Sequence, residues 1–90
     1  MTVATIKKSE ICLEGHAGNS FVCSGISGMM QMTANYAEDH KMAYVDCDSG
    51  YMRIYDIDPE QRENELFKAL EEALEKTAEV YPDNLIVKRA

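Results

Sequence analysis

Residues 11–28 read ICLEGHAGNSFVCSGISG, and this stretch decides the fold because its periodicity changes from that of a strand to that of a helix. Apolar and polar residues alternate up to Gly15, as in a half-buried strand. From Val22 onward, apolar residues return every three or four positions, as on one face of a helix. Between the two patterns stands His16, seven positions before Cys23. The stretch therefore predicts a strand, a loop and a helix start that brings a histidine close to a thiol.

The same two patterns extend along the chain in both directions. The predicted elements are strands at 2–6 and 11–14, a helix at 22–40, strands at 42–47 and 51–57 joined by a tight turn at 48–50, a helix from Asp58 to Pro82, and a strand at 85–88. The order ββαββαβ favours an α/β (α+β) fold, a two-layer sandwich in which two helices cover one face of a mixed sheet. We expect residues 1–90 to form a single domain.

The second helix has a strong start signal in the sequence. Asp58 is a suitable N-cap, Pro59 fits the first helical position, and Gln61 stands at the third. The first helix has an unusual start instead, since Gly25 and Gly28 each cost about 1 kcal/mol relative to alanine. Close packing against the sheet or a partner subunit would explain these glycines, and so would access of a ligand to the backbone.

Composition excludes several classes of function. The net charge is -7, and the basic residues form no patch beyond the pairs 7–8 and 88–89, so we expect no nucleic-acid partner. No apolar run is long enough to span a membrane, and the first residues lack a secretory pattern. The three cysteines are an odd number at irregular spacing, which is typical of free thiols in a reducing compartment. We therefore expect a cytoplasmic protein with basic partners.

The histidine and the cysteine form a possible catalytic pair. A helix N-terminus and an imidazole both favour the thiolate, so Cys23 would be a nucleophile and His16 its general base. Backbone N–H groups at the helix start and in the preceding loop would hold the oxyanion or the substrate. The residues that supply them in this reading are Gly18, Ser20, Ser24 and Gly25.

A metal site is the alternative that the residue types leave open. Cys12, His16, Cys23 and Cys47 are zinc-type ligands. Structural zinc sites usually take their ligands as pairs two to four residues apart, and Cys23 and Cys47 offer no such pair. We therefore expect neither a metal nor another cofactor.

Gly15-His16-Ala17, followed by Val22-Cys23-Ser24-Gly25-Ile26-Ser27, resembles the paired motif of the ribosomal-processing cysteine protease (Prp) family. The glycine before Tyr51 and the ending Glu79 to Val87 are similar to that family's second half. The resemblance implies a small homodimeric cysteine protease of ribosome biogenesis that removes an N-terminal extension from a ribosomal protein precursor. For phage-type relatives it implies a capsid or scaffold protein as substrate. It also implies that Cys23 is the nucleophile and His16 the base.

The chain departs from the family pattern at two points. The loop from Ala17 to Val22 is several residues shorter than is usual, and Ser20 stands where the family usually has an aspartate. Asn19, Asp46 and Asp48 are the candidates for the missing third group. A catalytically silent module that keeps the fold and binds or assembles with proteins is therefore the second hypothesis.

Overall fold

The computed structural model describes all 90 residues and contains five strands and two helices in the predicted order. They are β1 (Thr2–Ile6), β2 (Ile11–Gly15), α1 (Ser20–Asp39), β3 (Tyr44–Asp48), β4 (Tyr51–Tyr55), α2 (Glu65–Val80) and β5 (Leu85–Arg89). The strands form one sheet in the order β3-β4-β2-β1-β5. Only β1 and β5 pair in parallel, and the other neighbours are antiparallel. The mixed sheet and the α+β class are thus confirmed.

A single apolar core joins the sheet to the helices. Alternate strand residues such as Ala4, Leu13 and Ile54 point into it, because successive side chains of a strand face opposite sides. Val22 of α1 and Phe67 of α2 belong to the same cluster of 18 buried residues. Both helices therefore cover the same side of the sheet. Neither helix combines the length and the apolar character that crossing a membrane requires.

The predicted start of the second helix is wrong. Asp58 accepts a hydrogen bond from the N–H of Glu60 at 3.0 Å, but only within a local turn, and residues 59–63 form successive turns. The helix begins at Glu65, where the Asn64 side chain caps it by accepting from the N–H of Leu66 at 2.9 Å. Turns that repeat every three residues compete with the α-helix in short segments, and a better-placed cap follows here.

The outer face of α1 carries the two glycines. A Cβ atom placed on Gly25 or on Gly28 would meet no other atom within 4 Å. Close packing against the chain's own sheet therefore does not explain them. A partner subunit and a ligand remain as the predicted explanations. Around them on this exposed face stand Phe21, Met32 and Tyr36, which are 75%, 64% and 48% exposed.

Candidate active site

His16 follows β2 directly and lies against the turn between β3 and β4. The N–H of Gly15 donates to the carbonyl of Gly50 at 2.8 Å, which ties the end of β2 to this turn. The imidazole of His16 then covers Gly50, because a Cβ placed there would lie 2.9 Å from Nε2 and 3.1 Å from Cε1. Real Cβ atoms do not come as close as 2.9 Å to another heavy atom without something moving. Glycine at position 50 therefore makes room for the histidine ring.

The short loop after His16 is fixed by the other end of the chain. Ala17 is buried, and its carbonyl accepts a hydrogen bond from the side-chain amide of Asn84 at 2.7 Å. The carbonyl of Asn84 in turn accepts from the N–H of Thr2 at 2.9 Å. The burial of Ala17 and its hydrogen bond to Asn84 therefore restrict the loop that links His16 to α1.

Cys23 is the fourth residue of α1, because the helix begins two residues earlier than predicted. The side chain of Asn19 caps it by accepting from the N–H groups of Phe21 and Val22 at 3.0 and 3.3 Å. The N–H of Cys23 itself donates to the carbonyl of Asn19 at 2.9 Å. The N–H of Ser20 is the first-turn donor that has no partner within the chain. It is therefore the free donor closest in the helix to the thiol.

His16 and Cys23 line the same cavity, which has a volume of about 280 Å³. Its other walls come from β1, β2, α1 and the β3–β4 hairpin. The apolar lining includes Leu13, Ile26 and Met52, and the polar lining includes Thr2, Ser27, Gln31 and Asp48. A concave site that combines apolar side chains with converging polar groups can hold a small molecule or a side chain of a partner.

The backbone residues predicted to bind the substrate lie elsewhere. Gly18, Ser20, Ser24 and Gly25 are all exposed, and none of them lines the cavity. Each helical residue is turned by about 100° from the one before, so the residues on the Cys23 face of α1 are Ser27 and Gln31, four and eight positions later. Because this spacing can be counted in the sequence, Ser27 and Gln31 could have been predicted from it. Cys47 and Gly50, which also line the cavity, come from a distant hairpin and have no such local signal.

No carboxylate orients the imidazole of His16. Of the three candidates, Asn19 caps α1, and Asp46 lies on the other sheet face, 4.0 Å from the Arg53 guanidinium. Asp48 lines the cavity, but its Oδ1 accepts from the N–H of Ser49 at 2.8 Å. Among these three candidates, none donates to or accepts from the imidazole of His16, which lies against the Gly50 backbone.

Cys12 is separated from this site by the sheet. It lies on the face of β2 opposite to Leu13, so it does not join His16, Cys23 and Cys47. No three groups among the histidines, cysteines and carboxylates are arranged to hold a metal ion. Burial raises the pKa of the Cys12 thiol to about 11, and the neighbouring Glu14 carboxylate adds to this shift. Cys12 therefore stays protonated at neutral pH.

Comparison with known proteins identifies the family. The sequence model described as cysteine protease Prp matches residues 1–86, which is nearly the whole chain. The chain belongs to the Prp family. Searching the curated proteins with this sequence gives no match.

Solved structures agree with the Prp fold. The chain is similar to the ribosomal processing protease Prp from S. aureus in complex with a substrate peptide, with a TM-score of 0.85, 17% identity and complete coverage of both chains. The same protease with a covalently linked product peptide gives a TM-score of 0.79 and 19% identity, again with complete coverage. SMU.848 from Streptococcus mutans gives 0.72 and 24%, over 98% of this chain and 90% of the other. At these identities the likeness shows the fold.

Proposed function

We propose that this Prp-family chain is a cysteine endopeptidase in which Cys23 is the nucleophile and His16 the general base. The observation that carries the proposal is that a thiol at the start of a helix and an imidazole line one cavity. Thiol and imidazole are the two groups that covalent catalysis by cysteine needs, and a family of cysteine proteases supplies the reaction class.

In the proposed reaction the Cys23 sulfur attacks the carbonyl carbon of the scissile peptide, and its proton passes to His16. The oxyanion of the tetrahedral intermediate needs a donor, and the candidate is the free N–H of Ser20, which stands outside the cavity about one helical turn before Cys23. His16 then protonates the leaving amine, and a thioester remains on Cys23. Water, deprotonated by His16, hydrolyses the thioester and releases the new carboxylate.

The proposed substrate is a basic protein, either a ribosomal protein precursor with an N-terminal extension or a phage capsid or scaffold protein. The S. aureus protease of similar fold is described as ribosomal processing and was solved with a substrate peptide. The net charge of -7 of this chain favours a basic partner. We place the reaction in the cytoplasm, where the three cysteines would stay reduced.

We further propose that the protein acts as a homodimer that covers the outer face of α1. Gly25 and Gly28 lower the stability of this helix, and nothing within the chain requires them. Small residues flanked by exposed apolar side chains allow a second chain to approach the helix backbone. Sedimentation equilibrium of the wild type and of Met32→Glu tests this proposal. We expect a dimer for the wild type and a monomer for the variant.

Cleavage of a candidate substrate tests the catalytic proposal. The chain and a Cys23→Ala variant are incubated with the ribosomal precursor or the phage capsid protein, and products are identified by mass spectrometry. We expect one cut with the wild type and none with Cys23→Ala or His16→Ala. Cys47→Ala is the matched control for removal of a thiol from the same cavity, and it should still form the same product.

Alkylation by iodoacetamide tests the site without a known substrate. We expect Cys23 to react first at neutral pH and His16→Ala to slow that reaction. Cys12 should react last, because its raised pKa of about 11 leaves almost no thiolate. Equal and slow labelling of all three thiols would contradict the proposal and favour the silent binding module.

A further inference from the structure

A second thiol faces the cavity that holds the proposed nucleophile. Cys47 of β3 lies opposite Met52 of β4 in the sheet register, and both line the cavity together with Cys23. Cys47 is exposed, whereas Cys12 is buried on the other sheet face. Peptide cleavage as proposed above uses one thiol, so this second thiol has no part in it.

The position of Cys47 in the sheet allows it to approach α1. β3 is an edge strand that pairs only with β4, and it contacts α1. Both thiols are free in this structure. A disulfide needs Cα atoms within about 7 Å and Cβ atoms facing one another. Because β3 has only one strand neighbour, it can shift toward α1 with less disruption of the sheet than a central strand could.

We propose that Cys23 and Cys47 form a reversible disulfide in response to hydroperoxides, so that Cys47 is a modification site that protects the nucleophile. The inference rests on the proposed function, since it takes Cys23 as the reactive thiol of the pair. A cysteine that reacts as a nucleophile is also the one that peroxide oxidises first, and an adjacent second thiol prevents irreversible oxidation.

The chemistry balances in two steps. The Cys23 thiolate attacks one oxygen of hydrogen peroxide, the O–O bond breaks, and the products are a sulfenic acid and hydroxide. The Cys47 thiolate then attacks the Cys23 sulfur, the S–O bond breaks, hydroxide leaves, and the disulfide forms. Two thiols and one peroxide thus give one disulfide and two waters once the protons are counted. An external thiol reverses the result by exchange and is itself oxidised.

Oxidation of the intact protein with a small excess of hydrogen peroxide tests the proposal. We expect the mass of the single chain to fall by about 2 Da and to return after dithiothreitol treatment. Trypsin leaves Cys12 and Cys23 in one peptide, 9–41, and Cys47 in another, 42–53. The linkage is therefore mapped in Cys12→Ser, where a cross-link between these peptides can only join Cys23 to Cys47.

Variants show whether Cys47 protects Cys23. In Cys47→Ser, dimedone should trap a sulfenic acid on Cys23, and longer exposure should add about 32 Da that dithiothreitol does not remove. Cys12→Ser should instead recover its free thiols like the wild type. Circular dichroism checks that both variants fold, and Cys47→Ala repeats the test with a second side chain.

Three results would overturn the proposal. They are the absence of a disulfide within the chain, a disulfide between two chains in its place, and full recovery of Cys23 in both Cys47 variants. Each is read from masses without any substrate. A chain that forms this disulfide but cleaves no candidate protein would leave the disulfide standing and contradict the proposed peptidase. A chain that cleaves a candidate protein but forms no disulfide would support the proposed peptidase and contradict the proposed disulfide.

Discussion

Gly50 is the residue on which the position of the histidine depends most directly. Its backbone is the surface beneath the imidazole of His16, and its carbonyl accepts the hydrogen bond that ends β2. Its φ of 67° is a second reason for glycine, since a side chain is strained in that conformation. Gly50 thus serves both the β3–β4 turn, which needs a positive φ, and the position of the proposed base, His16.

Gly50→Ala should displace the imidazole and slow both cleavage and alkylation of Cys23 by roughly tenfold or more, because a misplacement of about 1 Å is costly in catalysis. Ser49→Ala, in the same turn, is the matched control and should keep wild-type rates. Alkylation is measured against pH, and the profile of Gly50→Ala should approach that of His16→Ala. A wild-type rate with a wild-type profile in a folded Gly50→Ala variant would show that the contact does not position His16.

The sequence predicts some of the residues that line the cavity and misses others. His16 and Cys23 were predicted to meet because one strand and one helix bring them to the same junction, and they line one cavity. Cys47 and Gly50 complete that cavity only because β4 pairs with β2. That pairing joins strands that are far apart in the sequence, so local periodicity does not predict it. The opposite sides of Cys12 and Leu13, by contrast, follow from strand alternation alone.

The two glycines of helix α1 lower its stability and leave its outer surface open. Gly28→Ala should raise the free energy of unfolding by about 1 kcal/mol in the monomer, because a Cβ there meets nothing and the helical backbone favours alanine. Gly18→Ala is the contrasting control, since Gly18 has a φ of 77° and the same substitution should destabilise the chain. Urea denaturation of both variants measures whether the free energy of unfolding rises for Gly28→Ala and falls for Gly18→Ala. An unchanged or lower stability of Gly28→Ala would indicate a contact that this structure does not contain.

Helix boundaries show where local signals fail. Residues 58–61 have a well-formed start signal, yet α2 begins at Glu65 and is capped by Asn64. Between them, Arg62 donates to the carbonyls of Lys7 and Lys8 at 3.0 Å each, which fixes this segment to the β1–β2 turn. The position of that turn relative to Arg62 depends on the tertiary fold and not on the local sequence. A cap signal alone therefore could not place the first turn of the helix.

At the scale of the whole molecule, one carboxylate connects three parts of the fold. Glu71 of α2 accepts hydrogen bonds at 2.8 Å from Arg62, which contacts the β1–β2 turn, and at 2.8 Å from Arg89 of β5. Partial burial opposes the ionisation of Glu71, but the bonds and charges of the two arginines outweigh it and lower the pKa of the carboxyl. The network ties the edge strand β5 to the helix layer.

Glu71→Gln should lower the free energy of unfolding by about 1–3 kcal/mol at pH 7, the usual range for bonds to a charged group. The folded-state pKa lies below the ordinary value of 4.5, so this stabilisation is complete above that value and is lost as the pH falls through the folded-state pKa. The difference between the variant and the wild type should therefore shrink below about pH 4.5. Glu72→Gln, which removes an exposed pair with Lys76, is the control and should change stability by less than about 0.5 kcal/mol. An equal effect of both substitutions would show that the Glu71 network adds no more than an exposed ion pair.

The two outward glycines of α1 also bear on how the protein moves. The first half of this helix holds Cys23, and its backbone has two positions of high conformational freedom, whereas α2 has none. Local opening should therefore be easier there, and the amides after Ser24 should exchange with deuterium sooner than those in the middle of α2. Hydrogen exchange followed by mass spectrometry compares the two helices directly, and equal protection would contradict the expectation. On this expectation the proposed nucleophile lies on the helix whose backbone opens more easily.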